Sequence, residues 1–397
     1  MHFKIKAGQD RQSNFELLRI LAIFAITWFH IMAHSVTYQL STSPITDLLR
    51  GPSFSKRLLL YQTVNTFGTT SNAIFILIAG YFLINASKIN LTKQIVKIFS
   101  QLLFGICFIT LSVFAVYFFQ NELNNIDVVS KLSNILNMNQ SGRIYGSVTL
   151  LNINSFCWYL GYYICIIIIA ELFLNKWLNK ASQSQFLLLV MCMGSLITFC
   201  FFINLFNGLS SEHILRLFTG VFFYTTGGYI RKYNPFKNIK AIVFIALIAI
   251  TYMFLFVSFY NHTMSNIRKF EIGINENFAQ SMLGIDNNSI LVIIVSISVF
   301  ELFRRINIGS IKIINFISSA TLMIYIIQDY EFVRSFYRMV DWLSLLNNSP
   351  LKTLLVLAIF SCLVFLSGFV IYLLYRLAFE IIKKSGKKMV RSADLQD

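Results

Sequence analysis

Arg19 and His30 lie eleven positions apart in NFELLRILAIFAITWFHIMAHS, residues 14–35, whose middle is otherwise apolar. An ionisable side chain at the centre of a membrane helix costs about 2.5–3.5 kcal/mol on insertion scales, so such residues tend to mark function. At 100° per residue, eleven positions make three turns plus about 20°. Both side chains therefore fall on one helix face, about 16 Å apart along the axis. Glu16, three before Arg19, and His34, four after His30, share that face. The face carries a cation near one boundary, then apolar residues, then an imidazole beyond mid-membrane.

A ligand with an anionic head and a long arm ending in a reactive group matches that layout. Acyl-coenzyme A is such a molecule. Its phosphates would pair with Arg19, and its pantetheine arm would run inward to bring the thioester near His30. With an unperturbed pKa of ~6.5, an imidazole can take a proton from an attacking hydroxyl and return it to the leaving thiolate. Each residue also has a plainer reading. Arg19 could snorkel to lipid headgroups, His30 could bond a neighbouring helix, and His34 reads as interfacial. Glu16 either orients Arg19 or is a first-turn acid favoured by the helix dipole. His30 and His34 at i, i+4 could share a metal. No carboxylate or cysteine of ligand spacing accompanies them on this helix, so no metal is expected. Trp158, at the start of a later apolar run, is either an interfacial anchor or a platform on which a sugar stacks.

The elements that must hold these residues are membrane helices. Of 397 residues, 56% are hydrophobic and only 13% charged; a soluble chain would carry roughly a quarter charged. Apolar runs near 15–35, 69–86, 96–119, 156–174, 185–206, 213–230, 240–260, 288–303, 311–328 and 353–375 predict about ten transmembrane helices, an all-α polytopic bundle. The net charge of +16 concentrates on alternate segments: the N-terminus, 88–97, 176–180, 231–240, 304–312 and the tail after Arg376. By the positive-inside rule both termini face the cytoplasm. The basic charge thus marks a lipid-facing edge, and nucleic acid is not an expected partner. The chain divides into a membrane domain, 1–376, and a basic tail, 377–397. The segments 36–68, 120–155, 261–287 and 329–352 read as outer loops. A short surface helix is predicted near 128–136. The six cysteines, without CxxC spacing, read as buried apolar fillers.

Several segments, in order, resemble the membrane-bound acyltransferase-3 family, and polysaccharide O-acetyltransferases in particular. R-x10-H is the first. "SNAIFILIAGYFLI" (72–84 with its leading Ser71) is similar to the family's second-helix segment, with Ala79 where Ser is common. "CWYLGYYICIII" (157–168) and "YTTGGYIRKY" (224–233) follow. "ATLMIYIIQDYEFVR" (320–334) resembles a late segment, with Gln328 where His is frequent. The resemblance implies a multi-pass enzyme, expected in a bacterial inner membrane, that moves an acyl group, most often acetyl, from acyl-coenzyme A to a hydroxyl. The acceptor would be a surface glycan or its lipid-linked precursor. Coenzyme A is then a substrate, and no permanently bound cofactor is expected. Arg19 and His30 become the essential pair. Basic residues after the second helix are represented by Lys88, Lys93 and Lys97, which lack the bidentate fork of arginine. Asp329, Glu331 and Arg334 read as an ordinary solvated loop. The alternative class, a transporter or flippase for lipid-linked oligosaccharide, lacks support from broken helices with paired Gly and Pro. Oligomeric state is left open.

Overall fold

The structure, a computed structural model, describes residues 12–42, 54–86, 89–119, 158–199, 211–273 and 285–393. The short helix predicted near 128–136 lies outside these. Among the described residues every regular element is helical: α1 Ser13–Thr42, α2 Phe54–Leu83, α3 Leu91–Phe119, α4 Trp158–Leu178, α5 Gln183–Thr198, α6 Ser211–Tyr233, α7 Ala241–Glu271, α8 Ile290–Arg305, α9 Lys312–Ser318, α10 Thr321–Gln328, α11 Glu331–Arg338, α12 Trp342–Asn348 and α13 Pro350–Ala393. Six of these, α1, α2, α3, α4, α7 and α13, are long and apolar enough to cross a membrane.

Of these six, α1 and α2 are the most buried. Of their apolar windows 56% and 67% are buried, against 22% for α3 and α7. The outer helices turn Val96, Leu103 and Leu111 (α3), Ile242 and Met253 (α7) and Leu355 and Leu363 (α13) outward. So much exposed apolar surface is stable only against lipid. Cys107, Cys165, Cys192 and Cys362 lie on such outward faces as free thiols, and not in the core as the sequence reading had them.

Hydrophobic scanning sets helix ends poorly where buried polar residues interrupt the apolar pattern. It starts α2 near 69, or earlier given the half-apolar Arg57–Phe67, and ends α7 near 260. In the structure α2 begins at Phe54 and α7 continues to Glu271. The extensions hold each other. Thr263 on α7 donates to the Gln62 side-chain oxygen on α2 at 2.9 Å, both buried, and Thr66 donates to the Tyr252 hydroxyl at 3.3 Å. Segments whose polarity reads as loop are helices whose polar groups satisfy one another. The predicted loop 329–352 likewise contains α11 and α12.

α2 and α6 cross at backbone contact. A Cβ on Gly227 would sit 2.2 Å from the Leu77 carbonyl oxygen, and one on Gly80 would sit 2.0 Å from that of Tyr224. Small residues permit this approach, as at other membrane helix crossings. Two of the sequence's most distinctive stretches, around Ala79–Gly80–Tyr81 and Gly227–Gly228, are thus packing devices first. Gly227→Ala is expected to force the helices apart and cost about 1–3 kcal/mol or more, read as a lower unfolding temperature in nanodiscs.

Hydrogen bonds also gather the basic segments at one end of the bundle. The Ser13 amide donates to the Gly309 carbonyl at 3.2 Å and Asn14 Nδ2 to that of Phe303 at 2.9 Å. Asn175 Nδ2 donates to the Leu83 carbonyl at 3.0 Å, and Arg305 Nη2 to that of Phe236 at 2.7 Å. Glu301, fully buried, accepts from Arg304 at 2.8 Å and faces Arg305 at 3.5 Å. We call this the basic end. At the far end Gln39 Nε2 donates to the Val340 carbonyl at 2.6 Å and Arg57 to that of Leu346 at 3.3 Å. Forty-four residues of α13 extend about 66 Å, twice the hydrocarbon thickness, so its basic last turns lie clear of any lipid core.

Candidate active site

The first turn of α1 is pinned to the α8–α9 connection through Ser13 and Asn14, which fixes the face carrying Glu16 and Arg19. Arg19 Nη1 donates to both Glu16 carboxylate oxygens, at 3.0 and 3.1 Å. Ser318 on α9 donates to the same carboxylate. Glu16 is therefore a buried orienting partner that sets the direction of the half-exposed guanidinium, the reading in which it positions Arg19.

Arg19 opens into a cavity of about 300 Å³ between α1, α2, α3, α4, α9 and α10. At its basic-end mouth stand Glu16, Arg19, Gln94, Lys97 and Ser319. Farther in, the lining turns apolar and aromatic, with Ile23, Ile26, Phe75, Ala79 and Leu160, and ends at Tyr159 and Tyr325. Gln94, Lys97, Ile98 and Gln101 recur at i, i+3, i+4, i+7 on α3. That pattern is visible in the sequence and marks the polar wall. Lys97 belongs to the cavity. Lys93, one turn nearer the start of α3, is exposed and outside its lining, so of the two lysines only Lys97 reaches the site. Trp158 also lies outside the lining, under the Arg216 guanidinium at 5.8 Å, at the far-end start of α4.

His30 lies one helical turn past Ile26, the last cavity-lining residue of α1, and is 6% exposed. Its ring is 6.3 Å from that of Tyr325 and 5.5 Å from that of His34, centroid to centroid. Tyr325 thus lines the cavity on one side and approaches the imidazole on the other, with Tyr159 packed 5.8 Å from it. Beside His30, Nδ1 faces the Asp329 Oδ1 at 3.9 Å. Asp329 is 3% exposed and is paired with the Arg334 guanidinium. This corrects the reading of 329–334 as a solvated loop: α10 ends at Gln328 in the interior, so Asp329 caps it inside the protein. Gln328, fully buried, meets the hydroxyl of Thr27, one turn before His30 on α1. The α10 end thus supplies an amide where a second titrating group would stand, and the carboxylate follows it.

An imidazole beside a buried carboxylate has a preferred tautomer. Asp329 beside Nδ1 favours the tautomer with its proton there, leaving Nε2 to accept one. At 3.9 Å the contact is electrostatic and not yet a hydrogen bond; catalytic contacts of this kind often tighten only around substrate. The same three groups bear on metal binding, since His30, His34 and Asp329 bring one ligand atom each within 4.8 Å of one another. The carboxylate that α1 itself lacks comes from α10. Against a dication, Asp329 is already engaged by Arg334, and Arg338 donates to the His34 carbonyl at 3.4 Å. Two guanidiniums against one carboxylate favour an anion or a developing oxyanion. Removing the guanidinium by Arg334→Met should cost about 3–5 kcal/mol, the penalty for breaking a buried pair, seen as a fall in unfolding temperature that Asp329→Asn in the same chain partly restores.

One family comparison bears on this arrangement. The family described as an acyltransferase domain matches residues 12–376, from the turn that carries Glu16 through all the helices around the cavity. The chain belongs to the acyltransferase-3 family. No curated protein and no solved structure matches it. The protein is a multi-pass membrane acyltransferase, and the transporter alternative has no support in this assignment. Within the acyltransferase Arg19 of the R-x10-H pair lines the cavity mouth, and His30 lies outside the lining, one turn past Ile26. The acid beside the histidine is absent from any local pattern, because 299 positions separate them.

Proposed function

We propose that this acyltransferase takes an acyl group, acetyl in the simplest case, from acyl-coenzyme A and transfers it to a hydroxyl of a cell-surface glycan or its lipid-linked precursor. The observation that carries the reading is the cavity. Its cationic mouth and its narrow apolar-aromatic interior match a phosphorylated head and a thin acylated arm, and it points at His30. The basic end faces the cytoplasm of a bacterial plasma membrane, where the donor is made. Arg19, held by Glu16, and Lys97 bind the diphosphate, and the pantetheine arm follows Ile23, Ile26 and Ala79. The thioester reaches His30 when the Tyr159–Tyr325 pair parts.

The acceptor approaches from the far end. Its hydroxyl oxygen attacks the thioester carbonyl carbon while its proton passes to His30 Nε2. The tetrahedral intermediate then expels the thiolate, breaking the C–S bond, and the proton returns from His30 to sulfur. Asp329 holds the imidazole and stabilises its cationic form, and the positive surroundings of Arg334 and Arg338 favour the oxyanion. Trp158 remains a stacking surface for sugar on the route to this site.

Arg19→Ala is expected to weaken coenzyme A binding about 10–100-fold, the worth of one charge-assisted contact, measured by calorimetry on purified protein in nanodiscs. Unchanged affinity, in a variant that unfolds at the wild-type temperature, would remove Arg19 from the donor site.

A further inference from the structure

A second cleft opens at the basic end, about 470 Å³, between the last residues of α2 and the end of α4. The route just described does not use it. Its floor is built where α4 widens into a π turn at Ala170–Leu174, an irregularity found mostly at functional places in helices. Glu171, Asn175 and Asn179 follow at i, i+4, i+8 and fasten the wall. Glu171 Oε2 accepts from the Ile89 amide at 2.7 Å, Asn175 donates to the Leu83 carbonyl at 3.0 Å, and Asn179 donates to that of Ile84 at 3.0 Å. These contacts account for the amides and the carboxylate as structure. They do not account for Lys176 and Lys180, which line the same cleft at i, i+4 with exposed side chains. Like charges at that spacing repel, and the single carboxylate in the cleft is spent on a backbone amide. Lys232 adds a third ammonium at its edge, donating to the Leu178 carbonyl at 2.9 Å. The cleft thus presents two exposed ammonium groups on its lining and a third at its edge.

The position of the cleft bears on what these groups would hold. Phe82 and Leu83 line the donor cavity, and Asn85 and Ala86 line the cleft. The two spaces therefore flank one turn of chain at the end of α2. We infer that the cleft takes the ribose 3′-phosphate of the donor nucleotide, held between Lys176 and Lys180, while the diphosphate stays at Arg19 and Lys97. This rests on acyl-coenzyme A being the donor. It gives the enzyme a way to distinguish coenzyme A from nucleotides and pantetheine esters that share only part of it.

The test compares coenzyme A with 3′-dephospho-coenzyme A by calorimetry, on wild type and on Lys176→Ala/Lys180→Ala in nanodiscs of zwitterionic lipid and of 30% phosphatidylglycerol. Wild type is expected to bind coenzyme A about tenfold or more tightly than its dephospho form. The double variant is expected to bind both equally, at the wild-type affinity for the dephospho form, and Lys176→Arg/Lys180→Arg to recover the preference. A preference that survives the double alanine change, or is absent in wild type, overturns the assignment while leaving the donor reading in place. So does a variant whose only change is in its response to phosphatidylglycerol, which would make the lysines lipid contacts. Absence of any coenzyme A binding to wild type overturns the assignment together with the donor reading.

Discussion

Replacing His30 by alanine is expected to lower acyl transfer by about 10²–10⁴-fold, the usual worth of a positioned general base, with coenzyme A affinity within a factor of about two of wild type. The split follows from position. The cavity lining ends at Tyr159 and Tyr325 and does not include His30, whose ring lies 6.3 Å from that of Tyr325. On the proposed mechanism the imidazole acts on the reacting atoms and not on the donor's head. A loss of donor affinity equal to the loss of rate would place His30 in the binding site instead. Measuring Kd and kcat on the same nanodisc preparation separates the two. Because His30 packs by its ring against Phe29, His34 and Tyr325, alanine leaves a cavity, and His30→Gln, which keeps more of the volume, is the control for lost packing.

The second large effect belongs to Asp329. Asp329→Asn retains the shape and removes the charge, so the tautomer of His30 is no longer fixed and the imidazolium loses its counter-charge. Transfer is expected to fall by about 10²-fold or more, within the range for general acid–base groups, again without loss of donor binding. The change also leaves the Arg334 guanidinium without its charged partner, so the unfolding temperature should fall, and the rate is read per folded chain. One result distinguishes the role from simple damage. The rate should lose its dependence on the second residue: in a His30→Ala background, adding Asp329→Asn should cost almost nothing further, as for groups acting as one unit. Additive losses would mean that Asp329 serves the fold alone.

What the sequence reveals of this site follows from the range of its contacts. Glu16, Arg19, His30 and His34 share one helix, so periodicity alone puts them on one face. Gln94, Lys97 and Gln101 carry a similar helical signal, overshadowed by the basic residues around them. Asp329 carries none. It sits in a short polar stretch after an apolar run, where hydropathy reads a surface loop, and only the return of α10 against α1 takes it inside. The same cause misplaces the ends of α2 and α7: Gln62 and Thr263 are polar in the sequence, yet buried against each other. Hydropathy finds the lipid-facing helices because one solvent surrounds them. It fails where polar groups pair in the interior, which is where the chemistry of a membrane enzyme is housed. Trp158 and Lys93 show the converse, since each has a suitable residue type but a place outside the cavity.

The most direct test follows label from donor to product. Membranes containing the wild-type chain, or His30→Ala at matched level, are supplied with [¹⁴C]acetyl-coenzyme A and a glycan-precursor extract, and alkali-labile label in the glycan fraction is counted. The account expects label with wild type and almost none with His30→Ala, although both chains bind coenzyme A. Equal labelling by the two chains, or none from a wild-type chain that binds coenzyme A, would contradict it.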